Sequence, residues 1–335
     1  MRIKMIYLQS MNRLIDDIGA FLESNGFEFS YQIRDDFNVI SVRTLDEKRT
    51  LIILPVEIKA SSPGEARLFS MGVWSCITSI TVLEGYPIII PEDRWKRQKN
   101  MMQARLLAHL ELFSQAYARN CEVRRIDKNA ARKFLSDNHS YGYAACKYHY
   151  GLFLKRHTGH IAREMKMLKA SCSDESSSFH SERSEDYLPS DLIAVATFSN
   201  ARKWIKNGKE IRSYEWTRYA SLPDLRVSGG MGKLLKAFIK EIQPDDIMSY
   251  ADLEWSEGRV YKALGFTEEM SKEPVDFEIN PLTWERIPIR CGMTLKQEGT
   301  TADIEGGGTF AGPTGNLYYR NFGSRKLRLK LTDYR

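Results

Sequence analysis

Between residues 226 and 266 the chain reads Arg226-Val-Ser-Gly-Gly-Met-Gly-Lys-Leu-Leu, then Ser249-Tyr-Ala-Asp-Leu, then Tyr261-Lys-Ala-Leu-Gly-Phe266. A glycine-rich turn thus opens an amphipathic helix, an apolar strand follows, and a short helix ends on Gly-Phe. The free backbone N–H groups of a helix start bind phosphate, and glycines let a pyrophosphate approach the backbone. Gly265 is placed to end the second helix in a left-handed cap. Two nucleotide-binding readings fail on residue identity. A P-loop needs Gly and Ser or Thr where Val227 and Leu234 stand, and a dinucleotide fingerprint needs Gly where Leu235 stands.

The 335 residues are long enough for two domains. A hydrophobic fraction of 42% and a charged fraction of 27% belong to a globular chain rather than a disordered one. No run of 18 apolar residues occurs, so no membrane span is expected. Cysteines 76, 121, 146, 172 and 291 are odd in number and widely spaced, which points to reduced intracellular thiols and away from a zinc site. The opening stretch is acid-free until Asp16 and lacks the apolar core of a secretory signal, so an organelle-targeting remnant stays open. The net charge of +6 is modest, but the cations cluster. Arg94, Lys96, Arg97, Lys99 and Arg105 form one group; Arg119, Arg124, Arg125, Lys128, Arg132 and Lys133 form another. The tail holds Arg320, Arg325, Lys326, Arg328 and Lys330 among Tyr318, Tyr319 and Phe322. Such stripes suit DNA or RNA, or else are solvated faces.

Helical spacing predicts a helix over 9–24, stopped by Asn25-Gly26, followed by strands over 37–43, 50–59 and 86–90 and a basic helix over 92–114. This block resembles the nuclease-like fold of very-short-patch-repair endonucleases and the related RAP domain, most closely in Gly85-Tyr-Pro-Ile-Ile-Ile-Pro-Glu-Asp-Arg-Trp95. The resemblance implies that Glu57 of Glu57-Ile-Lys59 would hold a metal and Lys59 would steady the attacking water. The second carboxylate such a centre needs is missing from strand 37–43; Asp35, Asp36 and Asp46 lie off it. Residues 1–115 are therefore expected to form a nuclease-like domain that has lost cleavage, with no metal ligands assigned.

From 121 the expected order is strand 121–127, helix 128–138, strands 147–155, 191–198 and 211–221, the glycine turn and its helix, and the segments after it. Residues 171–190, with eight serines and five acids, are expected to be a disordered insertion. Residues 298–315 read as a loop and 317–332 as a strand or hairpin.

This order, and the Tyr-x-x-x-Gly-Phe ending above all, resembles the GNAT acetyltransferase superfamily over about residues 120–290. The turn departs from the usual pattern: anchored on Gly230 and Gly232, its basic position falls on Val227, with Arg226 one place early. Glu215-Trp-Thr-Arg-Tyr-Ala-Ser-Leu-Pro223, Tyr250-Ala-Asp-Leu-Glu-Trp-Ser256 and Asn138-His-Ser-Tyr-Gly-Tyr143 look like the acetyltransferase-like proteins of phages and mobile elements, relatives of the DNA-modifying protein Mom among them. The fold expected is α/β (α+β): a small nuclease-like domain at 1–115, a GNAT-like mixed sheet flanked by helices at 116–297, and a Gly-rich loop with a basic strand or hairpin at 298–335.

The resemblance implies acetyl-CoA as cofactor, held by Arg226, Val227, Gly229, Gly230, Gly232 and Lys233. It implies splayed central strands, with a backbone N–H of strand 211–221 serving the oxyanion. Tyr261 stands where the family's thiolate-protonating tyrosine lies, and Glu215 where members often place a base; Asp252 and Glu254 are reserves. Asn138, His139 and Tyr143 fall on the acceptor side. A core aromatic for Tyr261, a salt bridge for Glu215 and a structural role for His139 are the plainer readings. The function expected is N-acylation of an amine by acyl-CoA, on nucleic acid or a protein bound to it. The competing reading is a nucleic-acid-binding protein whose two domains have both lost catalysis.

Overall fold

The computed structural model describes residues 14–44, 48–155, 191–289 and 315–334. The serine-rich insertion and nearly all of the 298–315 loop lie outside the described residues. The chain is a mixed α/β protein dividing into two compact units, neither of them continuous in sequence. The first gathers Met1–Leu106, Ala251–Gly258 and Met270–Arg325; the second gathers Leu107–Tyr250, Arg259–Glu269 and Lys326–Arg335. Residues 107–115 thus belong to the second unit, and residues 251–258 and 270–289 to the first.

In the first unit, α1 (Leu14–Ser24) leads into a meander of β1 (Phe29–Arg34), β2 (Phe37–Arg43) and β3 (Thr50–Val56). The long helix α2 (Pro63–Glu84) then returns the chain to β4 (Ile88–Pro91), parallel to β3. Ser62 caps α2 by accepting from the Glu65 N–H at 3.2 Å, and Glu65 accepts from the Ser61 N–H at 2.8 Å; Pro63 opens the helix. Helix α2 is long and apolar enough, by length and composition, to cross a membrane. Its Val73, Cys76, Ile77 and Ile80 pack with Val39, Leu54 and Ile89 of the sheet and with Phe277, Ile279 and Tyr319. Those last three belong to a second sheet of three strands, β14 (Asp276–Ile279) flanked by β15 (Arg286–Pro288) and β16 (Leu317–Arg320). The basic helix expected over 92–114 is two helices, α3 (Glu92–Arg97) and α4 (Lys99–His109), broken at Gln98.

The second unit is built on an eight-stranded sheet. Its strands are β6 (Cys121–Arg125), β7 (Tyr148–Leu154), β8 (Leu192–Phe198), β9 (Arg202–Lys206), β10 (Lys209–Ser221), β12 (Asp246–Asp252), β13 (Thr267–Lys272) and β17 (Ser324–Lys330). The order across it is β13-β17-β12-β10-β8-β7-β6, with β9 hairpinned onto β10. Helix α5 (Lys128–Asn138) joins β6 to β7, starting where Asp127 accepts from the Asn129 and Ala130 N–H groups. A separate parallel pair joins β5 (Ser114–Tyr117) to β11 (Leu225–Ser228).

Helix α6 (Gly230–Ile242) buries Leu234, Leu235 and Phe238. Each such side chain contributes about 1.5–3 kcal/mol by leaving water. Phe238 stacks on Phe198 at 3.9 Å between ring centres, with Tyr150 and Tyr214 edge-on around it. A short helix, α7 (Arg259–Ala263), ends at Gly265, whose φ of 91° takes the left-handed cap expected of it, and the Phe266 N–H returns to the Tyr261 carbonyl.

Candidate active site

The central strands β10 and β12 run parallel but pair only over Ser213–Glu215 against Asp246–Met248. Beyond that point β10 turns to β8, with a register shift between Trp216 and Arg218, and its ladder with β12 stops. At the stop the Ser249 hydroxyl donates to the Trp216 carbonyl at 2.9 Å.

Tyr261 comes to this place from α7. Its ring lies edge-on to Trp216 and to Phe266, 5.8 and 5.5 Å between centres. Burial raises the Tyr261 phenol above its ordinary pKa, and the Arg218 charge offsets part of that. Arg218 stands on the same strand, β10, and faces the loop after α5. Its guanidinium donates to the Gly142 carbonyl at 3.2 Å and to the Thr217 carbonyl at 2.8 Å. Burial lowers its pKa, and the neighbours that favour its charge are Cys146, Glu215, Tyr141 and Tyr261. Arg218 thus links both proposed catalytic residues and the 139–146 loop, a link that sequence spacing alone does not reveal.

Glu215 occupies the last paired position of the β10–β12 ladder. Its carboxylate lies 3.8 Å from Arg202. In the 138–143 segment, Asn138 turns back to the Phe134 carbonyl at 2.8 Å, and His139 accepts the Tyr141 N–H at 3.1 Å on Nδ1. Tyr143 meets the buried His149 at 3.1 Å. His149, missed in the sequence, has its pKa lowered by burial first and by Arg125 next. Of the reserve bases, Glu254 is unsuitable, as it lies buried in a salt-bridge cluster of the first unit.

At the glycine turn, Gly229 takes a left-handed φ of 76° and α6 begins at Gly230. The first intrahelical bond runs from the Lys233 N–H to the Gly229 carbonyl at 3.0 Å, so the three N–H groups before it have no partner inside the helix. No acid stands in the first turn of α6. A side chain at Gly230 would press on Val227 at 3.0 Å and on the Tyr219 hydroxyl at 3.3 Å. Lys233 does not face outward: its ammonium donates to the Ala118 and Cys121 carbonyls at 2.7 and 2.6 Å. Arg226 lies over the Phe113 ring, 5.3 Å from its centre.

In the first unit, Asp36, with φ of 68°, stands just before β2 and shares a small cavity with Glu57, Asn38, Phe37, Ile15 and Phe69. Asp36 and Glu57 thus line one cavity, although Asp36 stands off strand β2. Lys59 pairs with Glu57. Glu92 accepts the Ile58 N–H at 2.9 Å, and burial raises its pKa, with Glu57 adding to the effect. Among the described residues no three His, Cys, Asp or Glu gather as a metal would need.

Most cations of the 94–105 stretch and of the tail pair with carboxylates, whereas Arg119, Lys128, Arg132 and Lys133 are exposed. Arg94 faces Glu254 at 3.5 Å, Lys96 faces Asp17 at 3.6 Å, and Arg97 faces Glu285 at 3.5 Å. Arg105 is buried over the Trp255 ring and donates to the Ile89 and Trp255 carbonyls at 2.8 Å. In the tail, Arg320 pairs with Asp276, Arg325 with Glu257, Lys326 with Glu269 and Arg328 with Asp246, while Tyr319 and Phe322 are core. Arg125 pairs with Glu241 and lies over Tyr148 and Tyr150.

The chain matches no protein-family model and no curated protein. The class of the molecule therefore rests on its own fold and site.

Proposed function

We propose that the second unit is an acyl-CoA-dependent N-acyltransferase of the GNAT type, with acetyl-CoA as donor and an amine as acceptor. The observation that carries the reading is the end of the β10–β12 ladder at Glu215 and Met248 with Tyr261 beside it. The resemblance calls for splayed central strands with a tyrosine at the sulfur, and this geometry supports it.

The turn before α6 fits a diphosphate. Gly229 reaches a backbone conformation that side chains rarely adopt, the helix start leaves N–H groups without intrahelical partners, and no carboxylate in the first turn repels an anion. Gly229, Gly230 and Gly232 would hold it through the backbone. Lys233 and Arg226 lose the direct role expected of them, Lys233 because its charge is spent on carbonyls and Arg226 because it stacks on Phe113. Bound there, the cofactor supplies an acyl thioester. Glu215 would take the proton of the acceptor amine, and Tyr261 would donate a proton to the departing sulfur. Burial suits Tyr261 to that role because it keeps the phenol protonated. Arg218 is a positioning residue between them, and His139 and Tyr143 line the acceptor side through the loop that Arg218 holds.

The test is release of free thiol from acetyl-CoA with a panel of amines, including aminated nucleosides and lysine peptides. Wild-type turnover reduced at least a hundredfold by Tyr261→Phe supports the reading.

A further inference from the structure

Most cations of the 94–105 stretch and of the tail pair with carboxylates, and a further set of cations lies exposed on a hairpin. Strand β9 and the start of β10 form a hairpin closed by Asn207-Gly208, both at positive φ. Every residue of β9 is exposed. Lys206 and Lys209 are direct cross-strand neighbours, and so are Lys203 and Arg212. Like charges set opposite one another weaken a hairpin. Lys203 recovers part of that through Glu210 at 3.0 Å, and Arg212 donates to the Gln243 carbonyl. Lys206 and Lys209 form no ion pair among the described residues.

Aromatics share the face of these two lysines. Trp204 lies on it, 37% exposed, edge-on to Tyr334 at 5.6 Å between centres. The ammonium groups of Lys206 and Lys330 lie 5.9 and 5.5 Å from the centre of the Tyr334 ring. The platform underneath is fixed. Trp204 Nε1 donates to Ser213 at 2.7 Å, Ser213 donates to the buried Asp246 at 2.7 Å, and the Tyr334 hydroxyl donates to the same carboxylate at 2.8 Å. The exposed Ile205 and the acid Glu210 lie on the opposite face. Mutually repelling cations are thus held on a rigid aromatic base; the acid that feels Lys209 is Asp245, which already accepts from the Arg212 N–H and the Thr332 hydroxyl.

We propose that this hairpin face binds the phosphodiester backbone of a nucleic acid, with Lys206, Lys209 and Lys330 on phosphates and Trp204 against a sugar or base. Cations interleaved with an exposed aromatic fit a nucleic acid better than an acidic peptide, which offers no flat ring to stack. The inference does not rest on acyl transfer, because the face is built without the glycine turn or Tyr261 and its binding needs no cofactor.

The test is fluorescence anisotropy of the full chain with labelled single-stranded and duplex DNA of about 20 nucleotides per strand, across a salt series and without acetyl-CoA. Lys206→Ala/Lys209→Ala should weaken binding at least tenfold near 50 mM salt. It should flatten the logarithmic salt slope by about 1.8 on duplex or about 1.4 on single strands, two phosphate contacts' worth. Its melting temperature should hold or rise, since a like-charge pair is removed. Lys236→Ala/Lys240→Ala, on exposed positions of α6 and with the same charge lost, should keep the wild-type slope. Equal slopes for the two variants, or no binding by the wild type, would overturn the proposal. Poly-glutamate displacing DNA at equal charge concentration would overturn it too, in favour of a general polyanion surface.

Discussion

The Ser249 hydroxyl is bonded to the Trp216 carbonyl at 2.9 Å, at the point where the ladder between β10 and β12 ends. Ser249→Ala should therefore cost about 1 kcal/mol in urea unfolding, the net value of one hydrogen bond. Tyr261 packs edge-on against the same Trp216, and burial raises its phenol above the ordinary pKa. A raised pKa keeps the Tyr261 phenol in its proton-donating form past pH 10, so any alkaline limb that Tyr261 sets in acyl transfer should lie above 10 and vanish in Tyr261→Phe. A limb between pH 7 and 9 that disappears with Tyr261→Phe would contradict this placement.

Glu254 is held between Arg286 at 2.8 Å and Arg94 at 3.5 Å, with Tyr319 donating to its other oxygen and Arg286 also bonding Asp93 at 2.9 Å. Burial alone would raise its pKa; the two arginine charges and the hydrogen bonds from Arg286 and Tyr319 outweigh it and hold the carboxyl low. A depressed folded pKa adds stability that is present above the unfolded value of about 4.3 and lost as pH falls through the folded one. Glu254→Gln should destabilise the protein by about 3 kcal/mol at pH 7 by leaving buried cations short of a partner. The gap between variant and wild type should narrow in denaturant titrations below about pH 4. A gap independent of pH would show that packing, not charge, is at stake.

Met231 sits in the first turn of α6, where no acid stands. Met231→Glu should stabilise the helix start by about 0.5 kcal/mol through the helix dipole. The same carboxylate should compete with an anionic ligand, so affinity for acetyl-CoA should fall while the melting temperature holds or rises. Loss of affinity together with stability would instead mean that the turn was disrupted. Gly230 is a poorer probe, because any side chain there presses on Val227.

Cleavage of DNA or RNA by the first unit with magnesium or manganese is not expected. Asp36 and Glu57 reach one cavity, but Lys59 is paired with Glu57 and no third ligand gathers among the described residues. Gel assays on supercoiled plasmid and on RNA check this. Metal-dependent cutting that Glu57→Ala or Asp36→Ala abolishes would make the pair a working centre.

The elements with a clean period were legible in the sequence. The helix expected over 128–138 is Lys128–Asn138, and strand 37–43 is Phe37–Arg43. Helix α2 carried no single stripe, since its apolar residues pack with both the four-stranded sheet and with Phe277, Ile279 and Tyr319 some two hundred residues later. For the same reason residues 276–279 and 317–322 could not be assigned to the first unit: Phe277, Ile279, Tyr319 and Phe322 pack on residues distant in sequence. Charge misled in a related way. Lys and Arg clusters are visible in a run of residues, but the carboxylates that neutralise them, Glu254, Asp276 and Glu285, are not neighbours in the chain. At the candidate site, the motif at 226–266 singled out Tyr261 and the glycine turn, whereas the contacts of Ser249 and Arg218 are made only by the fold.

Calorimetric titration of the full chain with acetyl-CoA tests the central claim most directly, because binding precedes any choice of acceptor. The account predicts saturable binding to one site, with Kd below about 1 mM, weakened by Met231→Glu and retained by Tyr261→Phe. Heats no larger than dilution at millimolar ligand, in protein shown to be folded, would contradict it and leave the nucleic-acid-binding reading in its place.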